Sequence, residues 1–122
     1  MSQPWALIIP MANEEKDFDL FIVPLKEELV KLAPGKVFLV VDNVSTDKTL
    51  QLCQILSSSD PRFETVWAPE NKNVVDAYLR GYREALKTDA QYIIEMDAGF
   101  SHDPAELPKI FRLLEQGYNS RN

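Results

Sequence analysis

The residues with the clearest chemical potential follow an apolar run late in the sequence. Residues 92–96 have the pattern of a buried β-strand, and Asp97 comes directly after it. A polar loop then leads to Asp103 and Pro104, a helix cap and a first-turn proline that predict another helix. A carboxylate at a strand end is well placed to bind a divalent cation. The position two residues later, where a second carboxylate would complete a metal clamp, is Gly99.

The rest of the chain alternates between strand and helix patterns. Strands are predicted at residues 5–9, 36–41, 63–67 and 92–96. Helices are predicted at residues 23–32, after a cap at Ser45 or Thr46, at residues 73–87 and from Asp103 onward. This alternation is typical of an α/β fold, a Rossmann-like three-layer α/β/α arrangement around a mostly parallel sheet.

Prolines and apolar spacing set several details of these elements. Pro10 is expected to stop the first strand, and Pro24 to lie in the first turn of the first helix, with residues 18–22 as a separate turn. The helix over residues 73–87 is expected to turn four residues inward, namely Val74, Tyr78, Tyr82 and Ala85.

Three acidic residues are predicted to meet at one edge of the sheet. Glu14 follows the first strand, Asp42 the second and Asp97 the fourth. In open parallel sheets, ligands bind beyond the carboxyl ends of the strands, where the strand order reverses. With strand order 3-2-1-4, all three carboxylates surround a single crevice.

Each of these residues also has a purely structural interpretation. Asp42 can cap a turn, Asp97 can bind its own loop backbone, and Glu14 can belong to a solvated loop. Tyr78 and Tyr82 fit core positions better than a stacking platform for a base. Asp47 and the preceding Ser45 fit a helix cap.

Composition limits the classes of partner and the number of domains. The 122 residues predict a single domain, and the net charge of −6 argues against binding to nucleic acid. No apolar run is long enough for a membrane span, and no signal peptide is visible, so we expect a cytoplasmic protein. The one cysteine, Cys53, lies in an apolar helical stripe and is expected to be a buried, inert thiol.

The loop after the first strand lacks a phosphate cradle. Residues 10–15 contain no glycine, which excludes the dinucleotide-binding and P-loop patterns. An acidic crevice without such a loop suggests another way to bind a nucleotide. Its carboxylates would bind ribose hydroxyls, base N–H groups or a divalent cation, and the cation would hold the phosphates.

Four segments, in order along the chain, carry a resemblance to a known family. They are residues 10–15 (PMANEE), 40–49 (VVDNVSTDKT), 77–81 (AYLRG) and 96–104 (MDAGFSHDP). Together they resemble family 2 glycosyltransferases of the GT-A fold, in particular the branch of dolichol-phosphate mannosyltransferases and polyprenyl-phosphate glycosyltransferases. The resemblance covers nearly the whole chain.

The resemblance implies a reaction, a cofactor and a set of site residues. The reaction is transfer of a sugar from a UDP- or GDP-sugar to an acceptor, such as a polyprenyl phosphate, with a Mg or Mn ion at the diphosphate. The nucleotide-binding residues that it implies are Pro10, Asn13, Glu14, Asp42, Asn43 and Asp97. Asp97 matches the first aspartate of the family's metal-binding D-x-D motif, and no catalytic base is assigned.

Departures from the family pattern leave other functions open. Gly99 replaces the second aspartate of the motif, which is expected to weaken metal binding. The chain also resembles only the N-terminal, nucleotide-binding half of the family's catalytic domain, and the acceptor half is expected to be absent. We therefore expect a homodimer or a complex with a chain that supplies the missing half. The alternatives are an inactive module that binds a nucleotide or a partner, and a plain α/β domain with a degraded site.

Overall fold

The computed structural model describes residues 4–98, which form one four-stranded parallel sheet. The strands are β1 (Trp5–Met11), β2 (Gly35–Val41), β3 (Phe63–Trp67) and β4 (Tyr92–Glu95), in the order β3-β2-β1-β4. The helices are α1 (Phe18–Leu29), α2 (Thr49–Ser59) and α3 (Val74–Ala85). The predicted parallel sheet is confirmed, and its strand order is the one under which the three acidic residues were expected to meet. The predicted helix from Asp103 lies outside the described residues, as do Gly99 and Pro104.

Alternate side chains of the central strands pack into two separate cores, so the fold has three layers. Leu7 and Leu39 belong to the core under α1 and α2. Ile8 and Phe38 belong to the core under α3. This is the pattern of strands buried on both faces. Cys53 of α2 is buried as predicted, and its burial raises the pKa of its thiol to about 12.

Within residues 4–98, none of the helices is long and apolar enough to cross a lipid bilayer.

Pro10 lies inside β1, so the prediction that it stops the strand is wrong. It pairs with Val40 in the register between β1 and β2. Ile8 accepts a backbone hydrogen bond from Met96 beyond β4, and backbone groups two residues apart point to the same side of a strand. The nitrogen of Pro10 therefore faces β4, where it cannot donate the next ladder bond. Accordingly, the pairing of β1 with β4 ends at Ile8 and Glu95.

Helix α1 begins five residues before the predicted start at residue 23 and contains Pro24 in its interior. The buried residues of α1 include Phe18, Phe21 and Leu25, which recur at helical spacing. Burial of these large side chains against the sheet stabilises a helix through the proline, although proline disfavours a helix interior. The segment 18–22 is thus the first part of α1 and not a separate turn.

The predicted cap of α2 is also wrong, because the side chains concerned have other partners. Ser45 and Thr46 bind Asn13 of the preceding loop. Helix α2 begins only at Thr49, whose backbone N–H donates to Asp47 Oδ1 over 2.9 Å. Asp47 therefore precedes the helix instead of lying in its first turn.

Helix α3 packs on the sheet through small residues, and Ala85 is buried as predicted. Val74 is 52% exposed, so its predicted inward orientation is wrong, whereas Tyr78 and Tyr82 are partly buried and pack against the core under α3, as predicted. The fully buried positions include Ala77 and Gly81. A Cβ atom at Gly81 would lie 2.3 Å from Ile8 Cγ2, so α3 approaches β1 more closely than any other residue would permit.

Replacement of Gly81 by alanine should destabilise the fold. Ile8 is fully buried in the central strand and has little room to move, which predicts a loss of about 1–3 kcal/mol of unfolding free energy. The measurement is urea denaturation followed by circular dichroism. The exposed Leu79 on the same helix provides the control variant Leu79→Ala. The loss should shrink in an Ile8→Ala background, and equal losses in both backgrounds would rule out the contact as the cause.

Candidate functional site

A crevice of about 370 Å³ lies at the carboxyl ends of β2, β1 and β4, beside the start of α3. It occupies the point where the strand order reverses, between β1 and β4. Pro10 lines it at the place where pairing between these two strands has ended. Val40 and Ala77 are among its apolar lining residues. An apolar crevice with a few polar groups is the usual form of a small-molecule site.

The three acidic residues that the sequence singled out all line this crevice. Glu14, Asp42 and Asp97 are brought together from the ends of three different strands. Asp42 is 7% exposed, and its Oδ1 accepts a hydrogen bond from the backbone N–H of Val44 over 3.0 Å. It therefore has both predicted properties, since it stabilises a turn and faces the crevice.

Glu14 lies in an unfavourable electrostatic environment. Its partial burial raises its pKa, and the nearby carboxylates of Asp17, Asp47 and Asp97 raise it further. Like charges that crowd together in this way favour the protonated form of one of them. A bound cation, or a ligand that donates hydrogen bonds, would relieve this repulsion.

Asp97 is connected to helix α3 by a hydrogen bond from a tyrosine. The Tyr78 hydroxyl donates to Asp97 Oδ1 over 2.9 Å. Burial raises the pKa of Tyr78, and the Asp97 carboxylate raises it further, so the phenol remains protonated and continues to donate. The predicted core role of Tyr78 holds for its ring, which packs against the core under α3, while its hydroxyl also contacts the site.

Asn13 joins the loop after β1 to the loop after β2. It has a positive φ of 54°, a conformation that asparagine tolerates better than most residues. Its Nδ2 donates to the Val44 carbonyl over 3.3 Å, and its Oδ1 accepts from the Thr46 backbone N–H over 2.9 Å. The side chain thus holds two loops together. Asn13 and the exposed Asn43 are not among the described residues that line the crevice.

Asp47 and its neighbours add further bonds between the same two loops. Asp47 accepts hydrogen bonds from the Glu15 backbone N–H and from both the N–H and the hydroxyl of Thr49. Burial alone would raise the pKa of Asp47, but these bonds and one from Ser45 hold it below its ordinary value. The Thr49 hydroxyl also accepts from the Glu14 backbone N–H over 2.8 Å. Glu14 is thereby fixed at the rim of the crevice.

Sequence patterns had not indicated Lys72, which is the one cation among the described residues lining the crevice. It precedes Asn73, the N-cap of α3, whose Oδ1 accepts from the Asp76 backbone N–H over 2.9 Å. The helix N-terminus and this lysine both favour a negatively charged ligand. The sequence correctly predicted this helix start at residue 73, but not its distance from the acidic residues.

The described residues do not form a metal site made of protein ligands alone. Within residues 4–98, no group of three or more His, Cys, Asp or Glu side chains is arranged to hold a metal ion. Magnesium in nucleotide-binding sites is commonly held by one or two carboxylates together with substrate phosphates and water. Asp97, whose charge raises the pKa of the nearby Glu14, fits this second arrangement.

Comparison of the sequence with known proteins identifies a matching family and several relatives. Residues 6–120 match the sequence profile described as Glycosyl transferase family 2. The chain is 32% identical over 108 residues to an undecaprenyl-phosphate mannosyltransferase of Micrococcus luteus, covering 88% of this chain and 42% of that protein. It is 30% identical to a polyprenol monophosphomannose synthase of Mycolicibacterium smegmatis, covering 95% of this chain and 43% of the relative. The chain thus spans less than half the length of these relatives.

Solved structures share the fold. The crystal structure of S. aureus TarS 1-349 aligns with a TM-score of 0.65 at 18% identity, covering 95% of this chain and 33% of that one. The same protein in complex with UDP-GlcNAc aligns with a TM-score of 0.57 at 19% identity, covering 95% and 32%. The architecture and the crevice at its switch point therefore define an α/β protein with the GT-A fold. Given the profile match, the chain belongs to glycosyl transferase family 2.

Because the pKa of Glu14 is raised, we predict that removal of its charge changes the stability of the fold by an amount that depends on pH. The folded state binds this proton more tightly than the unfolded state, so Glu14 lowers stability as pH rises from the ordinary value of 4.5 through the raised pKa. Glu14→Gln should therefore raise the melting temperature at about pH 7 and change it little at about pH 4. The exposed Glu27 gives the control variant Glu27→Gln. An equal effect of Glu14→Gln at both pH values would contradict the electrostatic cause.

Proposed function

We propose that this chain binds the nucleotide sugar in a family 2 glycosyltransferase that uses a UDP- or GDP-sugar as donor. The observation that supports this most directly is the crevice, in which Glu14, Asp42 and Asp97 meet beside Lys72 and the start of α3. The acceptor that we propose is a polyprenyl phosphate. Its support is the set of relatives, whose names specify undecaprenyl phosphate or polyprenol.

The two sides of the crevice suit different parts of the donor. We assign the nucleoside to the side formed by β1 and β2, where buried Asp42 can accept hydrogen bonds and Pro10 provides an apolar surface. The assignment of Asn43 to the nucleotide stays a prediction from the resemblance. So does that of Asn13, whose side chain amide already binds the neighbouring loop.

We assign the diphosphate to the side formed by Asp97, Lys72 and the start of α3. A Mg or Mn ion at Asp97 would neutralise charge on the leaving diphosphate. Because the described residues contribute few carboxylates at this point, we expect the ion to bind well only with the nucleotide. Gly99 stands where the D-x-D motif has its second aspartate, and its lack of a carboxylate is expected to weaken metal binding further. Metal dependence and a cytoplasmic location both remain predictions.

A second candidate function is a binding module without catalysis. The observation in its favour is the lack of a full metal-binding group among residues 4–98. Both functions require the nucleotide to bind in the same crevice. They differ in whether sugar is transferred, which a turnover assay with UDP- and GDP-sugars and Mn²⁺ would distinguish.

Nucleotide binding should raise the melting temperature of the chain, because a ligand that binds only the folded state stabilises it. We expect a UDP- or GDP-sugar at millimolar concentration to shift the transition, and Mn²⁺ to enlarge the shift. Asp97→Ala should abolish the increment due to Mn²⁺, and Asp42→Ala should reduce the shift without metal. Differential scanning fluorimetry with and without Mn²⁺ measures both effects.

Asp89 supplies a matched control for these variants. It is an exposed aspartate shortly before β4, at the opposite end of the strand from Asp97. Asp89→Ala should leave both shifts unchanged. If no nucleotide moves the transition of the unmodified chain, the proposed binding is wrong. An unchanged Mn²⁺ increment in Asp97→Ala would place the ion elsewhere.

We also propose that the chain associates with another copy or with a complementary chain. In the described part, β4 pairs with β1 on one side only, and an open strand edge favours pairing with another chain. Light scattering across a concentration series should therefore show a mass above that of one chain. A constant monomer mass would contradict this proposal.

A further inference from the structure

Asp97 lies just beyond the part of β4 that the sheet holds in place. The last ladder bond is donated by the Met96 backbone N–H to the Ile8 carbonyl. The next bond would require an N–H at residue 10, which is a proline. The orientation of the Asp97 carboxylate therefore depends on side-chain contacts more than on strand pairing.

Repulsion acts on this carboxylate from within the crevice. Asp97 raises the pKa of Glu14, so the two groups are close enough to interact unfavourably. A group that orients Asp97 inward must come from an element with a fixed position.

Helix α3 provides such an element. Gly81 brings the helix backbone into close contact with Ile8 of β1, which sets the distance between the helix and the sheet. Tyr78 lies one turn earlier on the helix, and its hydroxyl reaches Asp97 Oδ1 at 2.9 Å. Since both the ring and the helix are packed, the donor comes from a defined direction.

We propose that Tyr78 is a positioning residue that orients Asp97 for the cation and diphosphate of the donor. This proposal rests on the proposed function, since it assumes that Asp97 binds the ion. Partners of this kind, which bind a metal ligand and not the metal, typically contribute about 10–100-fold to metal affinity. Sugar transfer would then depend on Tyr78 through the orientation of Asp97.

Tyr82 gives a closely matched control on the same helix. Its hydroxyl donates to Glu95 Oε2 over 3.0 Å, a bond of the same type and length between α3 and β4. Glu95 is exposed and is not among the described residues that line the crevice. Tyr78→Phe and Tyr82→Phe therefore each remove one tyrosine–carboxylate bond, a part-buried one inside the site and an exposed one outside it.

The experiment titrates Mn²⁺ into the full chain at saturating UDP and, in parallel, GDP, with the melting temperature as readout. Tyr78→Phe should raise the Mn²⁺ concentration at half effect by about 10-fold, whereas Tyr82→Phe should leave it unchanged. The shift due to nucleotide alone should be the same in all three proteins. An unchanged or lower Mn²⁺ midpoint in Tyr78→Phe, or an equal rise in Tyr82→Phe, would overturn the proposal.

A second readout does not depend on ligand binding. The side-chain carboxyl carbon of Asp97, observed by NMR in the chain without nucleotide, should change its chemical shift in Tyr78→Phe but not in Tyr82→Phe. If it does not change, the positioning role is wrong. If this resonance changes and the unmodified chain still shows no Mn²⁺ effect with either nucleotide, the proposed metal binding fails while the contact itself is supported.

Discussion

The end of pairing between β1 and β4 is the constraint on which the site depends. Two parallel strands that continued side by side would fill the space beyond Ile8 with backbone hydrogen bonds. Pro10 cannot donate the next bond, so the ladder stops and the space remains available to side chains and ligand. The proline therefore has a definite function in the interior of the fold, where it still pairs with β2 on its other side.

Connections between loops then fix what surrounds this opening. The loops after β1 and β2 bind each other through Asn13, Asp47 and Thr49, so neither can move independently. On the other side of the crevice, α3 lies close to β1 because Gly81 has no side chain. The crevice is thus bounded by a bonded pair of loops on one side and a closely packed helix on the other. Such boundaries hold the charged groups of a site in position at little cost when a ligand binds.

Under the proposed function, the charges of the crevice would allow a protein of net negative charge to bind a phosphate ligand. Repulsion among Glu14, Asp97 and their acidic neighbours is unfavourable in the unliganded protein. A divalent cation bound with a diphosphate would neutralise that repulsion and add its own charge to the site. Lys72 and the start of α3 favour the same ligand by direct attraction. Membership of glycosyl transferase family 2 is consistent with this electrostatic arrangement.

The sequence by itself indicated the α/β layers and the three acidic residues at strand ends, because strand and helix periods and strand-end positions are local signals. The strand order is a non-local property, which the sequence analysis assumed and the tertiary structure decided. It also identified the family through four short segments. Only the tertiary structure decided the place of Pro10, the start of α1 and the cap of α2. Packing of Phe18 and Phe21 outweighs the local preference of Pro24, and Ser45 and Thr46 bind a loop that is distant in sequence. The bond from Tyr78 to Asp97 likewise joins residues 19 positions apart, and only the close approach of α3 to β1 brings them together.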